Sequence, residues 1–199
     1  MSAEHLNQFL QKFQAITDKE RKEIAAKLIV RTFKKGSIIQ EEGKIPKNCF
    51  FVLDGCVRQY QIVDGVERTT EFYTDQHAAI SSECYINQAP SNFYLECLED
   101  AMLMVGEPEH DKKMIEEHPI LQSIMMKVAE EEWLKSQNTL STFKILSPEK
   151  RYTDFLQKRR DLINRVSSNQ IASYLGITPE SLSRIRKRIL TKTENTASK

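Results

Sequence analysis

The segment from residue 168 to residue 190 constrains the fold of this chain more than any other part of its sequence. Ser168 is placed to cap a short helix, and Gly176 permits a tight turn because glycine tolerates a positive φ angle. Thr178 and Pro179 supply a cap and a first-turn proline for a second helix. The inward apolar residues repeat at helical spacing: Ile171, Ala172, Leu175, Leu182, Ile185 and Ile189. The pattern predicts a helix-turn-helix.

The outer face of the second helix indicates what such a motif would contact. Side chains near the start of that helix reach base edges in the major groove of DNA, and basic side chains nearby reach phosphates. The sequence predicts DNA contacts from these residues: Ser168, Gln170, Thr178, Pro179, Glu180, Ser181, Ser183, Arg184, Arg186, Lys187 and Arg188. The alternative is an ordinary amphipathic helical hairpin.

Charge is distributed unevenly along the chain, although the net charge is only +1. Residues 144–199 contain 13 Lys and Arg against 5 Asp and Glu, whereas residues 1–143 contain 16 against 23. A basic C-terminal part attracts a polyanion, and the acidic remainder is repelled by it. The distribution favours a two-part protein with one part facing nucleic acid; a solvated basic helix pair is the alternative.

The middle of the chain, from residue 31 to about residue 105, has the pattern of a β domain. Its short β-rich runs lie at residues 37–40, 49–53, 56–63, 68–73 and 94–98. Two Asp-Gly dipeptides, at residues 54–55 and 64–65, are typical of two-residue hairpin turns. Two short helices are predicted before this region, within residues 3–29. The spacing indicates an antiparallel sandwich or barrel, and the whole chain is an α+β protein.

The helical period returns between Pro119 and Phe143, over a length of about 37 Å at about 1.5 Å per residue. The apolar stripe of such a helix either covers the β domain of its own chain or pairs with the same helix of a second chain. We favour pairing, which makes this a dimerisation helix whose contact residues are Leu121, Ile124, Met125 and Val128. Ser147 and Pro148 then cap and begin the next helix.

These features divide the chain into four parts. Residues 1–118 form a β domain with flanking helices, and residues 119–146 form the long helix and a linker. Residues 147–190 form the helix-turn-helix domain, and residues 191–199 are expected to be a disordered tail.

In this order, the elements resemble those of the Crp/Fnr family of bacterial transcription regulators over roughly residues 5–190. The resemblance rests on FKKG at residues 33–36, FVLDGCVR at 51–58 and ASYLGITPESLSRIRKRI at 172–189. It implies a cyclic-nucleotide-binding-like β-roll sensor, a long dimerisation helix and two winged helix-turn-helix domains on a palindromic site. The implied partners are an inverted-repeat DNA operator, a second copy of the chain and RNA polymerase.

Residue by residue, the resemblance assigns base reading to Pro179, Glu180 and Arg184. The Glu and the Arg match the family pattern, whereas relatives commonly have a hydrogen-bond donor where Pro179 stands. About seven residues, 161–167, separate the preceding helix from the motif, so the wing of the winged-helix-like domain is expected to be short or absent.

The effector pocket implied by the resemblance is degenerate in this sequence. Its matching residues are Ser82, Glu83, Cys84, Ser91 and Asn92, which keep the glutamate of the family's Gly-Glu pair but lack the arginine that neutralises a cyclic phosphate. Independently, residues 69–111 contain no Lys or Arg and nine acidic residues, so a buried phosphate would lack a counter-charge. We expect a regulator not controlled by cyclic AMP, with an unidentified effector or none.

Other function classes find little support in the sequence. The histidines are scattered, and the acidic group formed by Glu96, Glu99 and Asp100 has the spacing of a solvated turn, so we expect no enzyme, metal or cofactor. The cysteines, which lack metal-ligand spacing, are expected to be reduced core thiols: Cys49, Cys56, Cys84 and Cys97. With no signal sequence and no apolar run of about 20 residues, the expected location is the cytoplasm and not a membrane. The rival function is a ligand-sensing or protein-interaction module without a specific DNA target.

Overall fold

The computed structural model of the chain describes residues 2–13, 16–75, 77–79 and 88–197. The helices in this part are α1 (Ser2–Gln11), α2 (Asp18–Lys27), α3 (Pro108–Glu117), α4 (Ile120–Ile145), α5 (Pro148–Lys158), α6 (Ser168–Tyr174) and α7 (Pro179–Ala197). The strands are β1 (Val30–Phe33), β2 (Ile38–Gln40), β3 (Cys49–Asp54), β4 (Val57–Val63), β5 (Val66–Tyr73), β6 (Ala78–Ala79), β7 (Tyr94–Cys97) and β8 (Ala101–Gly106). The α+β class predicted from the sequence is confirmed.

The strands form two antiparallel sheets of four strands each, in the orders β1-β8-β3-β6 and β2-β7-β4-β5. One apolar cluster lies between the sheets, and its fully buried members include Val52, Val57 and Leu103. The predicted hairpin at residues 64–65 is confirmed: Val63 pairs with Val66 across the turn, and both turn residues have positive φ angles, of 53° and 73°. The hairpin predicted at residues 54–55 is wrong, because β3 and β4 on either side of it belong to different sheets and do not pair. Strand β5 lies at one edge of the second sheet.

Helices α1 and α2 confirm the two helices predicted near the N-terminus, and they pack on the first sheet together with the beginning of α4. Phe9 and Leu10 of α1 share a buried cluster with Phe51 of β3. Helix α2 begins with a capping box, in which Thr17 and Glu20 satisfy each other's backbone amides.

The sequence favours pairing of the apolar stripe of α4 with a second chain, but part of this stripe packs against the chain's own β domain. Leu121 and Ile124 are buried in the cluster of α1 and β3, and Val128 packs against that cluster. Leu121 and Ile124 are therefore not available for the favoured pairing, because the first two turns of α4 cover the β domain of their own chain, whereas Val128 is only partly buried. Met125, which is 46% exposed, is the member of the predicted set that faces outward.

The three C-terminal helices form the predicted helix-turn-helix unit. Ser147 caps α5 by accepting a hydrogen bond from the amide of Lys150, as predicted. A single 3-10 turn (Arg160–Leu162) joins α5 to α6, and the described residues after β8 contain no strand, so the expected reduction of the wing is confirmed. Helix α7 continues to Ala197, into the segment expected to be a tail, because no Pro or Gly interrupts it.

Within the described part of the chain, no helix combines the length and the apolar character that a membrane span requires.

Candidate nucleic-acid interface

The turn between α6 and α7 is formed by two backbone hydrogen bonds that require a residue with a positive φ angle. Gly176 has a φ angle of 64°, its amide donates to the carbonyl of Ser173, and the amide of Ile177 donates to the carbonyl of Ala172, both at 3.0 Å. These two bonds form a Schellman motif, which ends α6 and turns the chain toward α7. The predicted role of Gly176 is confirmed.

The capping residue of α6 differs by one position from the prediction. Ser167, not Ser168, is the N-cap: its hydroxyl accepts from the amide of Gln170 at 3.2 Å. The Gln170 side chain accepts in return from the amide of Ser167 at 2.9 Å, which completes a capping box. The sequence signal fits either serine, and the Gln three residues after Ser167 decides between them.

Helix α7 begins as predicted, at a cap formed by Thr178. The Thr178 hydroxyl oxygen accepts from the amide of Ser181 at 3.2 Å. Leu182 and Ile185 are buried against α5 and α6. Because side chains three and four residues apart share a face, the burial of this pair leaves one long face of α7 outward.

The outward face of α7 carries both charge signs and a hydroxyl. Glu180, Ser183, Arg184 and Lys187 are all exposed there, and Pro179 is exposed at the start of the helix. The guanidinium of Arg184 donates to the hydroxyl of Ser181 at 3.2 Å. Hydrogen bonds from its own backbone and from Thr178 lower the pKa of Glu180, so this side chain is an anion and a hydrogen-bond acceptor at neutral pH.

The other basic residues of α7 are engaged within the unit. Arg186 donates to the Tyr152 hydroxyl at 3.0 Å and to the Ser168 hydroxyl at 2.8 Å, which ties α7 to α5 and α6. Arg188 forms an ion pair with Glu149 at 2.7 Å. Lys187, which lies between these two arginines, is exposed and forms no ion pair with a carboxylate among the described side chains.

The effector pocket expected from the sequence is described only in part. Ser82, Glu83 and Cys84 lie outside the described residues. Ser91 is buried, and its hydroxyl donates to the carbonyl of Phe93 at 2.9 Å, whereas Asn92 is exposed. Ser91 therefore stabilises its own loop.

A cleft of about 1590 Å³ runs between α4 and the β domain. Its lining is mostly apolar, with Phe9, Phe51 and Met104 among the contributing residues. The basic residues of the lining come from α4 and from the C-terminal unit: Lys135, Arg151, Lys158, Arg159 and Arg165. The lining residues of the described β domain include no Lys or Arg, as residues 69–111 lead one to expect.

The described cysteines behave as core thiols rather than as reactive groups. Cys56 and Cys97 are free and fully buried, and burial raises the pKa of their thiols to about 12 and about 11. Cys49 is half-buried, whereas Cys84 lies outside the described residues. His77 lines the cleft, hydrogen bonds to the carbonyl of Thr74, and has a pKa lowered by burial. Among the described residues, no three His, Cys, Asp or Glu side chains gather as a metal site.

Neither a protein-family model nor a curated protein sequence matches the chain. Solved structures do. FixK2 from Bradyrhizobium japonicum superposes with a TM-score of 0.70 at 16% identity, covering 83% of this chain and 86% of that one. A CooA mutant from Carboxydothermus hydrogenoformans gives 0.68 at 15% identity, over 92% and 83% of the two chains. CLP, described as a c-di-GMP responsive global regulator of Xanthomonas campestris, gives 0.68 at 14% identity, over 84% and 89%. At identities of 14–16%, the similarity of these structures to the chain establishes a shared fold.

Proposed function

We propose that this chain, which has the fold of the Crp/Fnr regulators, is a homodimeric, sequence-specific DNA-binding transcription regulator that acts without cyclic AMP. The observation that carries the proposal is the outward face of α7. Leu182 and Ile185 are buried, while Glu180, Arg184 and Lys187 are presented to solvent on the opposite side of the same helix. Such a regulator acts in the bacterial cytoplasm, with RNA polymerase as a further partner.

The chemistry of this face fits base reading in the major groove. A guanidinium such as that of Arg184 donates two hydrogen bonds to O6 and N7 of guanine, and the carboxylate of Glu180 accepts from N4 of cytosine. Lys187 carries an ammonium suited to a phosphate oxygen, which fixes position without reading sequence. Pro179 has no backbone donor and contributes only apolar contact.

An exposed stripe along α4 supports pairing with a second chain. Met126, Trp133 and Leu140 follow one another at intervals of seven residues and are 67%, 61% and 49% exposed. Ala129 and Ser136, three residues after the first two, are small and exposed. A seven-residue apolar repeat with small residues between its members is typical of a coiled-coil seam. Two α4 helices joined along it would present two α7 helices to an inverted repeat with half-sites about 34 Å apart.

Independence from cyclic AMP is supported by the charge of the β domain. Residues 69–111 contain no Lys or Arg, so the β-domain wall of the cleft has no basic side chain among the described residues, and the cations of the cleft come from α4 and the C-terminal unit. The desolvation of a phosphate inside the β domain is costly unless a cation pairs with it. The same cleft favours a second candidate function, a ligand-sensing or protein-interaction module without a specific DNA target.

Selection of bound duplexes from random DNA, with and without cyclic AMP, tests the proposal. We expect the purified full chain to enrich the same inverted repeat in both arms, and the Arg184→Ala variant to lose one base preference. Enrichment only with cyclic AMP would overturn the nucleotide independence. No enrichment in either arm would contradict DNA reading and favour the second candidate.

A further inference from the structure

We infer that Arg159 and Arg165 are positioning residues: they hold the helix-turn-helix unit against the edge of the second sheet, and this contact sets the half-site separation that a pair of chains accepts. The inference rests on the proposed function and deepens it, because it assigns the operator spacing to named side chains outside α7.

The covalent connection between α4 and the DNA-binding unit is short and does not fix an orientation by itself. Helix α4 ends at Ile145 and α5 begins at Pro148. The two residues between them, Leu146 and Ser147, have extended backbone, with ψ angles of 140° and 159°. Because a few torsion angles at such a joint can reorient everything that follows, the orientation must come from non-covalent contacts.

Helix α6 lies along strand β5, the edge strand of its sheet. The register between β4 and β5 shifts next to Thr69, since Gln59 pairs with Glu71 and Tyr60 pairs with Thr69. The amide of Thr69 donates to the hydroxyl of Ser173 in α6 at 2.8 Å. An unpaired edge amide is thereby satisfied by the DNA-binding unit, which also shields that edge from pairing with another strand.

Two arginines of the segment between α5 and α6 form hydrogen bonds and ion pairs with the β domain, near the bond between Thr69 and Ser173. Arg159 donates to the carbonyl of Phe72 at 3.1 Å and lies 3.6 Å from the carboxylate of Glu71. Arg165 donates from Nε to the Glu99 carboxylate at 3.0 Å, and its Nη2 donates to the same oxygen. Both arginine side chains are mostly buried, with exposed fractions of 19% and 23%, which strengthens their hydrogen bonds relative to those of surface ion pairs.

A continuous apolar cluster lies beneath these contacts. It joins Cys56, Phe72 and Leu98 of the β domain to Leu162 and Ile171 of the DNA-binding unit. The rings of Phe72 and Tyr174 lie 5.3 Å apart. Because close packing of this kind permits one orientation of the helix-turn-helix unit on the β domain, the two parts move as one body as long as the bonds of Arg159 and Arg165 are intact.

The docked arrangement leaves the outward face of α7 open. Glu180, Arg184 and Lys187 are exposed in it, so the contact positions the reading face without covering it. In a pair of chains joined through α4, each α7 then has a fixed place relative to the seam, and only one separation of half-sites fits both.

The test uses the full chain and inverted repeats of the selected half-site, with the central spacer varied one base pair at a time. We expect the wild type to prefer one spacer by about tenfold or more, and the Arg159→Gln, Arg165→Gln double variant to bind neighbouring spacers almost equally, because it loses several charge-assisted hydrogen bonds. Affinity for a single half-site should not change. Arg165→Lys, which keeps the charge but not the forked donor geometry, should restore part of the preference.

Arg31→Gln is the matched control, because it breaks an arginine ion pair that lies entirely inside the β domain, away from the predicted DNA contacts. It should keep the wild-type spacer preference. If the double variant prefers the same spacer as the wild type, the positioning role is wrong. If the double variant does not fold, the single Arg159→Gln and Arg165→Gln variants give the same comparison, each with a smaller loss of spacer preference. Failure of the wild type to select any inverted repeat would instead contradict the proposed function.

Discussion

The hydroxyl of Ser173 accepts the hydrogen bond of the Thr69 backbone amide at 2.8 Å, across a separation of 104 residues in the sequence. The bond joins the first helix of the helix-turn-helix motif to the edge of a sheet in the β domain. Together with the shared apolar cluster, it makes the two parts of the chain one packed body.

Replacement of Ser173 by alanine should destabilise the protein, because it leaves the Thr69 amide without its acceptor. The expected loss is about 1–3 kcal/mol in the free energy of unfolding, measured by urea denaturation. Ser183→Ala is the control: that serine is exposed on α7, and its removal should change stability by less than about 0.5 kcal/mol. Equal losses for both variants would show that the inter-domain bond contributes nothing.

Arg184→Ala and Lys187→Ala should weaken DNA binding in different ways. The loss of a bidentate guanine contact should cost about 1–3 kcal/mol on the preferred site and relax selectivity at one base. The loss of a phosphate contact should weaken binding to all sequences alike, and it should reduce the slope of log K against log salt concentration by about one. Titrations on the preferred and the scrambled duplex over a range of salt separate the two effects. Unchanged selectivity in Arg184→Ala would remove this residue from base reading.

Trp133→Ala should weaken self-association, because Trp133 is the central member of the exposed seven-residue repeat on α4. Truncating a central aromatic side chain of an interface commonly costs about 2 kcal/mol or more, which raises the dimer dissociation constant about 30-fold. Sedimentation velocity over a concentration series measures this shift. Glu131→Ala, on the opposite side of the same helix, should leave the constant unchanged. A dimer equally stable in both variants would place the interface elsewhere.

Gly176→Ala should lower stability more than Gly65→Ala, although both glycines have positive φ angles. Left-handed backbone costs a residue with a Cβ about 1–2 kcal/mol at either position. At residue 65 the new Cβ meets nothing within 4 Å, whereas at residue 176 it lies 3.2 Å from the ring of Phe143. Thermal unfolding of the two variants should therefore differ. The reverse order would mean that Phe143 moves aside at little cost.

Cys56 and Cys97 should resist thiol reagents at pH 8 in the folded protein. Burial raises the pKa of both thiols above the ordinary value, so the reactive thiolate is scarcer at every pH below that range. In a Cys49→Ser, Cys84→Ser background, labelling should be slow without denaturant and fast in urea. Rapid labelling of Cys56 in the folded protein would mean that the cluster between the two parts of the chain opens, and rapid labelling of Cys97 would mean that the cluster between the sheets opens.

Local signals in the sequence predicted most of the local structure. Two of them failed: Asp54-Gly55 connects two sheets instead of forming a hairpin, and the N-cap of α6 is Ser167 instead of Ser168. The Asp-Gly dipeptide at residues 64–65 forms the expected two-residue hairpin, and Ser147, Gly176 and Thr178 have the expected roles at helix ends. Each of these signals depends on a few adjacent residues, so the sequence contains all the information needed to read it.

Contacts between distant elements were not predictable in the same way. The periodicity of α4 shows an apolar stripe, but it does not tell which turns lie over the chain's own β domain, and Leu121 and Ile124 proved to be covered by α1 and β3. The charge of Arg186 and Arg188 suggested phosphates, whereas their partners Tyr152 and Glu149 lie more than thirty positions earlier. Likewise, no local pattern marks Arg159 and Arg165 as ties to the β domain.

The most direct test of DNA reading by α7 is the ratio of two dissociation constants at one salt concentration: that for the scrambled duplex over that for the selected inverted repeat. A sequence-specific regulator is expected to give a ratio of about 10³ or more. A ratio near one, with binding that depends only on salt, would contradict the account. It would mean that the exposed residues of α7 attract DNA by charge but do not read its sequence.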